Sequence, residues 1–171
     1  MATLYEYFLR DGQSNLTVHE TWTISNAHGS KAGDFIARAH YDFESHATYV
    51  SFYFPSMPSV GCPEAMGLQK LDVIHQWAST TQVQMGFDTE LKDARDLVFT
   101  GQVYLYSERP VSADDQQRLN KEAKQAGRYL VFRSTGYVDE RNKFEKPHAF
   151  ISHDSRDKAA IAQPLALELM K

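Results

Sequence analysis

The stretch DFIARAHYDF (residues 34–43), the tripeptide ESH (44–46) and ATYVSFYF (47–54) decide how this chain is read. Phe35, Ala37, Ala39, Tyr41 and Phe43 fall at every second position, and so do Val50, Phe52 and Phe54. A period of two places one set of side chains on one face of a strand and the intervening set on the other. Two such runs separated by a short polar tripeptide predict an antiparallel hairpin.

Working outward, LTVHETWTIS (16–25) carries the same signature. Leu16, Val18, Trp22 and Ile24 share one face, and Thr17, His19, Thr21 and Thr23 the other. Before it, TLYEYFLR (3–10) reads as a first strand, and NAHGSKAG (26–33) as a loop. After the hairpin, PSMPSVGCP (55–63) is a Pro/Gly/Ser loop. From Glu64 to Ser79 the residues Leu68, Leu71, Ile74 and Ala78 have helical spacing, with His75 as the alternative to Ile74. TQVQMGF (81–87) alternates again, and DTELKDARD (88–96) is a charged stretch. LVFTGQVYLYSE (97–108) is a strong strand. SADDQQRLNKEAKQAG (112–127) is punctuated as a helix: Ser112 at the N-cap, Asp114 and Asp115 in the first turn, Gly127 past the end. RYLVFRS (128–134) is the next strand, and GYVDERNKFEKP (136–147) reads as a polar connector closed by Pro147.

The expected architecture is therefore α+β. A largely antiparallel sheet with two or three helices occupies residues 1–146, followed by a β-α fragment over 147–171. The bulk properties agree with a packed domain: 171 residues, 42% hydrophobic and 23% charged, with ten Phe and nine Tyr. No apolar run reaches the roughly 18–20 residues of a membrane span, so a membrane is not an expected partner. The first twelve residues lack the basic and apolar regions of a signal peptide. Cys62 is the single cysteine, which excludes an intrachain disulfide framework and fits a reducing cytoplasm. The net charge of −4 is uneven. Residues 1–117 hold seven basic and fifteen acidic side chains, and residues 118–146 hold eight and four. The basic segment reads as a solvated helix and strand beside an acidic body, and nucleic acid is not the expected partner.

The last 24 residues, HAFISHDSRDKAAIAQPLALELMK (148–171), comprise a short apolar run, a polar turn, and Ile161, Leu165 and Leu169 spaced four apart around Pro164. A buried strand, a loop and an amphipathic helix form the first half of a βαβ unit. The segment resembles the first strand and helix of a bacterial TIR (Toll/interleukin-1 receptor homology) domain. Phe150, Ile151, Ser152 and His153 match the box-one strand, Asp157-Lys158 the helix start, and Pro164-Leu165-Ala166 fits the bacterial branch. The resemblance implies a flavodoxin-like parallel sheet. It also implies cleavage of NAD, as substrate rather than cofactor, by a glutamate on a later helix. That helix has no counterpart in these residues, and Glu168, on the first helix, does not take the role. In a complete TIR domain Ser152, His153, Asp154 and Ser155 would line the nucleotide pocket. The resemblance thus predicts that residues 1–146 are the regulatory or sensing region of a signalling or defence protein. The 171 residues themselves would be inactive, with association as homo-oligomers or through TIR–TIR contacts. The alternative is that residues 1–146 bind a small molecule or nucleotide with no TIR-dependent activity.

The remaining constellations are weak. His148 and His153 fall on opposite faces of a strand and do not make a metal site. Asp88, Glu90, Asp93 and Asp96 lack the glycine and closing glutamate of a calcium loop, and read as a solvated face. His19, His40, His46 and His75 are scattered, with His19 and His40 on polar strand faces. Cys62, with no basic neighbour, reads as an inert thiol. Tyr49, Phe52, Tyr53 and Phe54 read as core and sheet surface rather than a base-stacking platform. No nucleophile elbow, phosphate-cradling glycine loop or H-E-x-x-H is present, so no catalytic or metal residue is assigned.

Overall fold

The structure, a computed structural model, describes residues 1–12, 16–84 and 91–145. Residues Ala2–Asp139 form one compact unit, and Met1 with Glu140–Lys171 forms another.

The chain opens with helix α1 (Leu4–Arg10), where TLYEYFLR reads in sequence as a strand. A capping box explains the difference. The Thr3 hydroxyl accepts from the Glu6 amide, and the Glu6 carboxylate accepts from the Thr3 amide at 2.6 Å. Two otherwise orphaned donors are satisfied at once. Leu4, Tyr7 and Phe8, spaced three and four apart, are then buried on one face.

Strands β1 (Leu16–Ser25), β2 (Lys31–Asp42) and β3 (Ala47–Phe54) form an antiparallel meander. The β2–β3 hairpin pairs Asp42 with Ala47 and Ala37 with Phe52. Its turn is organised by Asp42, whose carboxylate accepts from the amides of Glu44 and Ser45. The expected helix over 64–79 is two pieces, α2 (Pro63–Gln69) and α3 (Leu71–Thr80), meeting at Lys70. Two short strands, β4 (Gln82–Gln84) and β5 (Leu91–Asp93), pair separately from the main sheet. Strand β6 (Val98–Ser107) then lies parallel to β3. Helix α4 (Ala113–Gln125) starts as expected, with the Ser112 hydroxyl accepting from the Asp115 amide at 3.1 Å. It leads to β7 (Tyr129–Arg133), parallel to β6. Residues Thr135–Glu145 form helix α5, so most of the expected polar connector is helical.

The architecture is α+β, with five helices among the described residues. The main sheet is mixed, in the order β1-β2-β3-β6-β7. Parallel neighbours need long crossovers, and α2–α3 and α4 supply them.

One face of the sheet is the apolar core predicted by the alternation. Phe35, Ala37, Val50, Phe52, Phe54, Val103 and Leu105 pack beneath Leu71 and Ile74 of α3. Ala39 and Tyr41 continue the layer against Ala78. The other face carries Ile36, Arg38 and His40 from β2, Tyr49, Ser51 and Tyr53 from β3, and Tyr104 and Tyr106 from β6. Helix α1 lies on this second face, where Leu4, Tyr7 and Phe8 cluster with Tyr106, Ile36, Tyr53 and Tyr137. A polar sheet face is thus partly roofed.

Candidate functional site

Arg38 anchors the roof. It is 8% exposed, and its guanidinium donates to the carbonyls of Phe8 (2.8 Å) and Leu9 (2.6 Å) at the end of α1, and to the Thr17 hydroxyl (3.2 Å). A cation at a helix C-terminus meets carbonyls that have no partner within the helix. Among the described residues its hydrogen-bond acceptors are all neutral, so Arg38 brings a positive charge without an ion-pair partner to the polar face.

Beside Arg38 on the same face, His40 is 1% exposed. Its Nε2 shares a 2.8 Å hydrogen bond with the Ser51 hydroxyl. Its ring stacks on Tyr49 with centroids 4.3 Å apart. The Nδ1 atom is buried and has no hydrogen-bond partner among the described residues. Burial first, and then the Arg38 charge, lower the His40 pKa to about 3, with Asp11 opposing. The imidazole is therefore neutral.

Asp11 follows α1 directly. One carboxylate oxygen accepts from Arg133 Nη1 (2.8 Å), from the Tyr137 hydroxyl (2.7 Å) and from the Tyr106 hydroxyl. Burial, and then the Asp11 hydrogen bond, hold the Tyr106 hydroxyl well above its ordinary pKa, so it remains a donor. Arg133 also donates to the Tyr106 oxygen, and its guanidinium lies 4.7 Å from the Tyr104 ring centroid and 4.6 Å from that of Tyr137. Only Nη1 of Arg133 is engaged in hydrogen bonds among the described residues, which leaves the Nε–Nη2 edge open.

These groups border a cavity of about 210 Å³, with His40, Tyr49, Ser51, Tyr104, Tyr106 and Arg133 from the sheet and Asp11 and Gly12 beside them. Gly12 keeps it open. Its φ is +76°, a region that side chains disfavour. A Cβ there would stand 2.7 Å from both His40 Nδ1 and the Tyr49 hydroxyl. A larger groove, about 260 Å³, lies between α2, α3 and α4. Its charged side chains already pair with one another, Arg128 with Asp72 and Arg118 with Glu122, and among the described residues no buried polar atom lies unsatisfied in it. The smaller, polar cavity is the better functional candidate.

The residues singled out in sequence are not those that converge. Ser152, His153, Asp154 and Ser155 lie outside the described residues, as do His148 and the Ile161/Leu165/Leu169 stripe. Asp88 and Glu90 also lie outside them. Of the scattered histidines, His19 and His46 are exposed and His75 stacks on Phe99 at 4.8 Å. His40 sits on the polar strand face as expected, but buried. Burial, and then Glu64, raise the Cys62 pKa, so it carries no activated thiolate. Of the aromatics read as core and sheet surface, Phe52 and Phe54 are core, and Tyr49 lines the cavity. No sequence signal marks Asp11 or Arg133. Neither belongs to a spaced motif, and 122 residues separate them.

Comparison with family models, with curated proteins and with solved structures returned no match. Among the described residues no helix is long and apolar enough to cross a membrane, and no group of three potential ligand side chains is placed to hold a metal ion.

Proposed function

We propose that the Ala2–Asp139 unit is a binding domain for a small polar molecule. In this reading it serves as the sensing region of a cytoplasmic signalling or defence protein whose effector is a TIR-type NAD hydrolase beginning near residue 148. The binding half rests on one observation: a fully buried His40 with an unsatisfied Nδ1 beside an open polar cavity. An unpaired buried polar atom costs about 1–3 kcal/mol, and a ligand that completes the hydrogen bond recovers that cost. Convergent polar groups around a concavity are what a specific small-molecule site requires. The effector half rests on the resemblance of residues 150–166 alone, and association through TIR–TIR contacts rests on it too.

The binding half is tested by thermal-shift screening of small polar metabolites against the wild type, Gly12→Ala and Tyr104→Ala. Gly12→Ala pushes a methyl group against His40 and Tyr49 at the cavity wall, and Tyr104→Ala removes a half-buried wall. Ligands that stabilise the wild type and lose their effect in both folded variants support the site. A screen with no stabilising compound, or with stabilisation equal in all three proteins, sinks it. For the effector half, the purified 171-residue chain is expected to leave NAD intact, and measurable nicotinamide release overturns that expectation.

A further inference from the structure

The charges around the cavity narrow its ligand. Arg133 and Asp11 line the cavity with one charge of each sign, and Arg38, beside His40 on the same sheet face, adds a second positive charge. His40 is neutral and faces Arg38 and Asp11 as its charged neighbours. From the other elements packed here, α5 contributes the Tyr137 hydroxyl and α1 contributes carbonyls, all of them neutral. Glu108 is engaged with Tyr53 at 2.9 Å. Among the described residues the site thus holds one surplus positive charge in a half-enclosed pocket, where Coulomb attraction exceeds its value in water.

The donors are equally specific. The Nε–Nη2 edge of Arg133 is the edge that grips a carboxylate through two parallel hydrogen bonds. Asp11 already occupies Nη1, so the protein's own carboxylate holds the guanidinium in place without using that edge. Stacking of Arg133 among Tyr104, Tyr106 and Tyr137 fixes its plane further. The His40–Ser51 pair adds adaptability. The Ser51 hydroxyl can donate to Nε2 or accept from it, so Nδ1 can present either a proton or a lone pair. A ligand hydroxyl fits either state.

Resting on the binding-domain reading above, we propose that the ligand is a small organic carboxylate bearing a hydroxyl. Its carboxylate lies on the open edge of Arg133, and its hydroxyl on His40 Nδ1.

The test is isothermal titration calorimetry of the 171-residue chain with salicylate, mandelate and lactate, each against its own primary amide. The amide keeps size and hydroxyl while removing the charge. At least one carboxylate is expected to bind about ten-fold tighter than its amide, and to weaken as salt is raised. Asp11→Asn, which adds a second surplus charge, is expected to widen the ratio of carboxylate to amide affinity whatever it does to the amide alone. Arg133→Lys, which keeps the charge but loses the fork, is expected to abolish most of the difference. A merely structural role for either residue would shift both probes together. Amides that bind as tightly as carboxylates overturn the anionic ligand, and if that binding vanishes in Gly12→Ala the binding-domain reading survives. If no probe binds, the carboxylate proposal is overturned, and the metabolite screen decides the binding-domain reading separately.

Discussion

The imidazole of His40 lies flat on the ring of Tyr49, with planes 7° from parallel and centroids 4.3 Å apart. The two are directly opposed across the β2–β3 hairpin. The stack places a titratable ring where water cannot solvate its charged form, next to the Arg38 cation.

Acid should therefore destabilise the fold earlier than carboxylate protonation would. His40 is neutral in the folded state down to about pH 3, whereas in the unfolded chain it takes a proton near its ordinary 6.5. Between those limits the unfolded state binds the extra proton. Stability is full above pH 6.5 and falls, as pH drops toward 3, by up to about 1.4 kcal/mol per pH unit. Urea denaturation at neutral and mildly acidic pH should show this slope, and His40→Gln should flatten it. An unchanged slope in the variant would assign the acid sensitivity elsewhere.

Gly12→Ala should cost about 1–3 kcal/mol. The positive φ strains any side chain, and the added methyl meets the His40–Tyr49 stack at 2.7 Å. The expected signature is a lower denaturation midpoint together with altered near-ultraviolet dichroism from Tyr49. A midpoint equal to wild type would mean that the loop relaxes at no cost.

Arg38→Met keeps much of the side-chain volume but strands the Phe8 and Leu9 carbonyls beneath α1. Buried acceptors left without donors cost about 1–3 kcal/mol each at most, so a loss of about 2–4 kcal/mol is expected. Arg38→Lys, which can still reach one carbonyl, should recover part of it. Hydrogen exchange along residues 4–10 provides the local readout: α1 should lose protection first in the methionine variant.

Gly67→Ala tests the opposite face. A Cβ on this residue of α2 would stand 2.6 Å from the ring of Phe54, itself 1% exposed and stacked on Phe35 at 5.2 Å. Because the ring is held on both sides, overpacking should cost about 1–3 kcal/mol. Pairing the change with Phe54→Leu should cost less than the two single changes added together. Strict additivity would show that α2 shifts instead.

The hairpin was legible in sequence because its signal is local: every second residue from Phe35 to Tyr41 and from Val50 to Phe54 is apolar, and each set is buried on one face. Helix α4 was legible for the same reason, with its cap at Ser112. Helix α1 stands where the aromatic residues of TLYEYFLR suggest a strand, although its Thr3–Glu6 capping pair is itself a sequence signal for a helix. Helix α5 carries many charges and no apolar stripe, so its pattern gave no sign of a helix.

Alternation settled which side chains share a face, because pleating assigns faces by parity alone. It settled the α+β class and the apolar core beneath α3 in the same way. Parity says nothing about whether a polar face meets water or another element. Only the tertiary structure decided that α1 would lie across Arg38, Tyr53 and Tyr106, and that Asp11 would meet Arg133 from the far end of the unit. Burial of that polar face turned His40 from a solvent-facing residue into a neutral, half-satisfied group at a cavity. The physical reason is that its pKa and its missing partner depend on desolvation by segments distant in the chain, which no local pattern encodes.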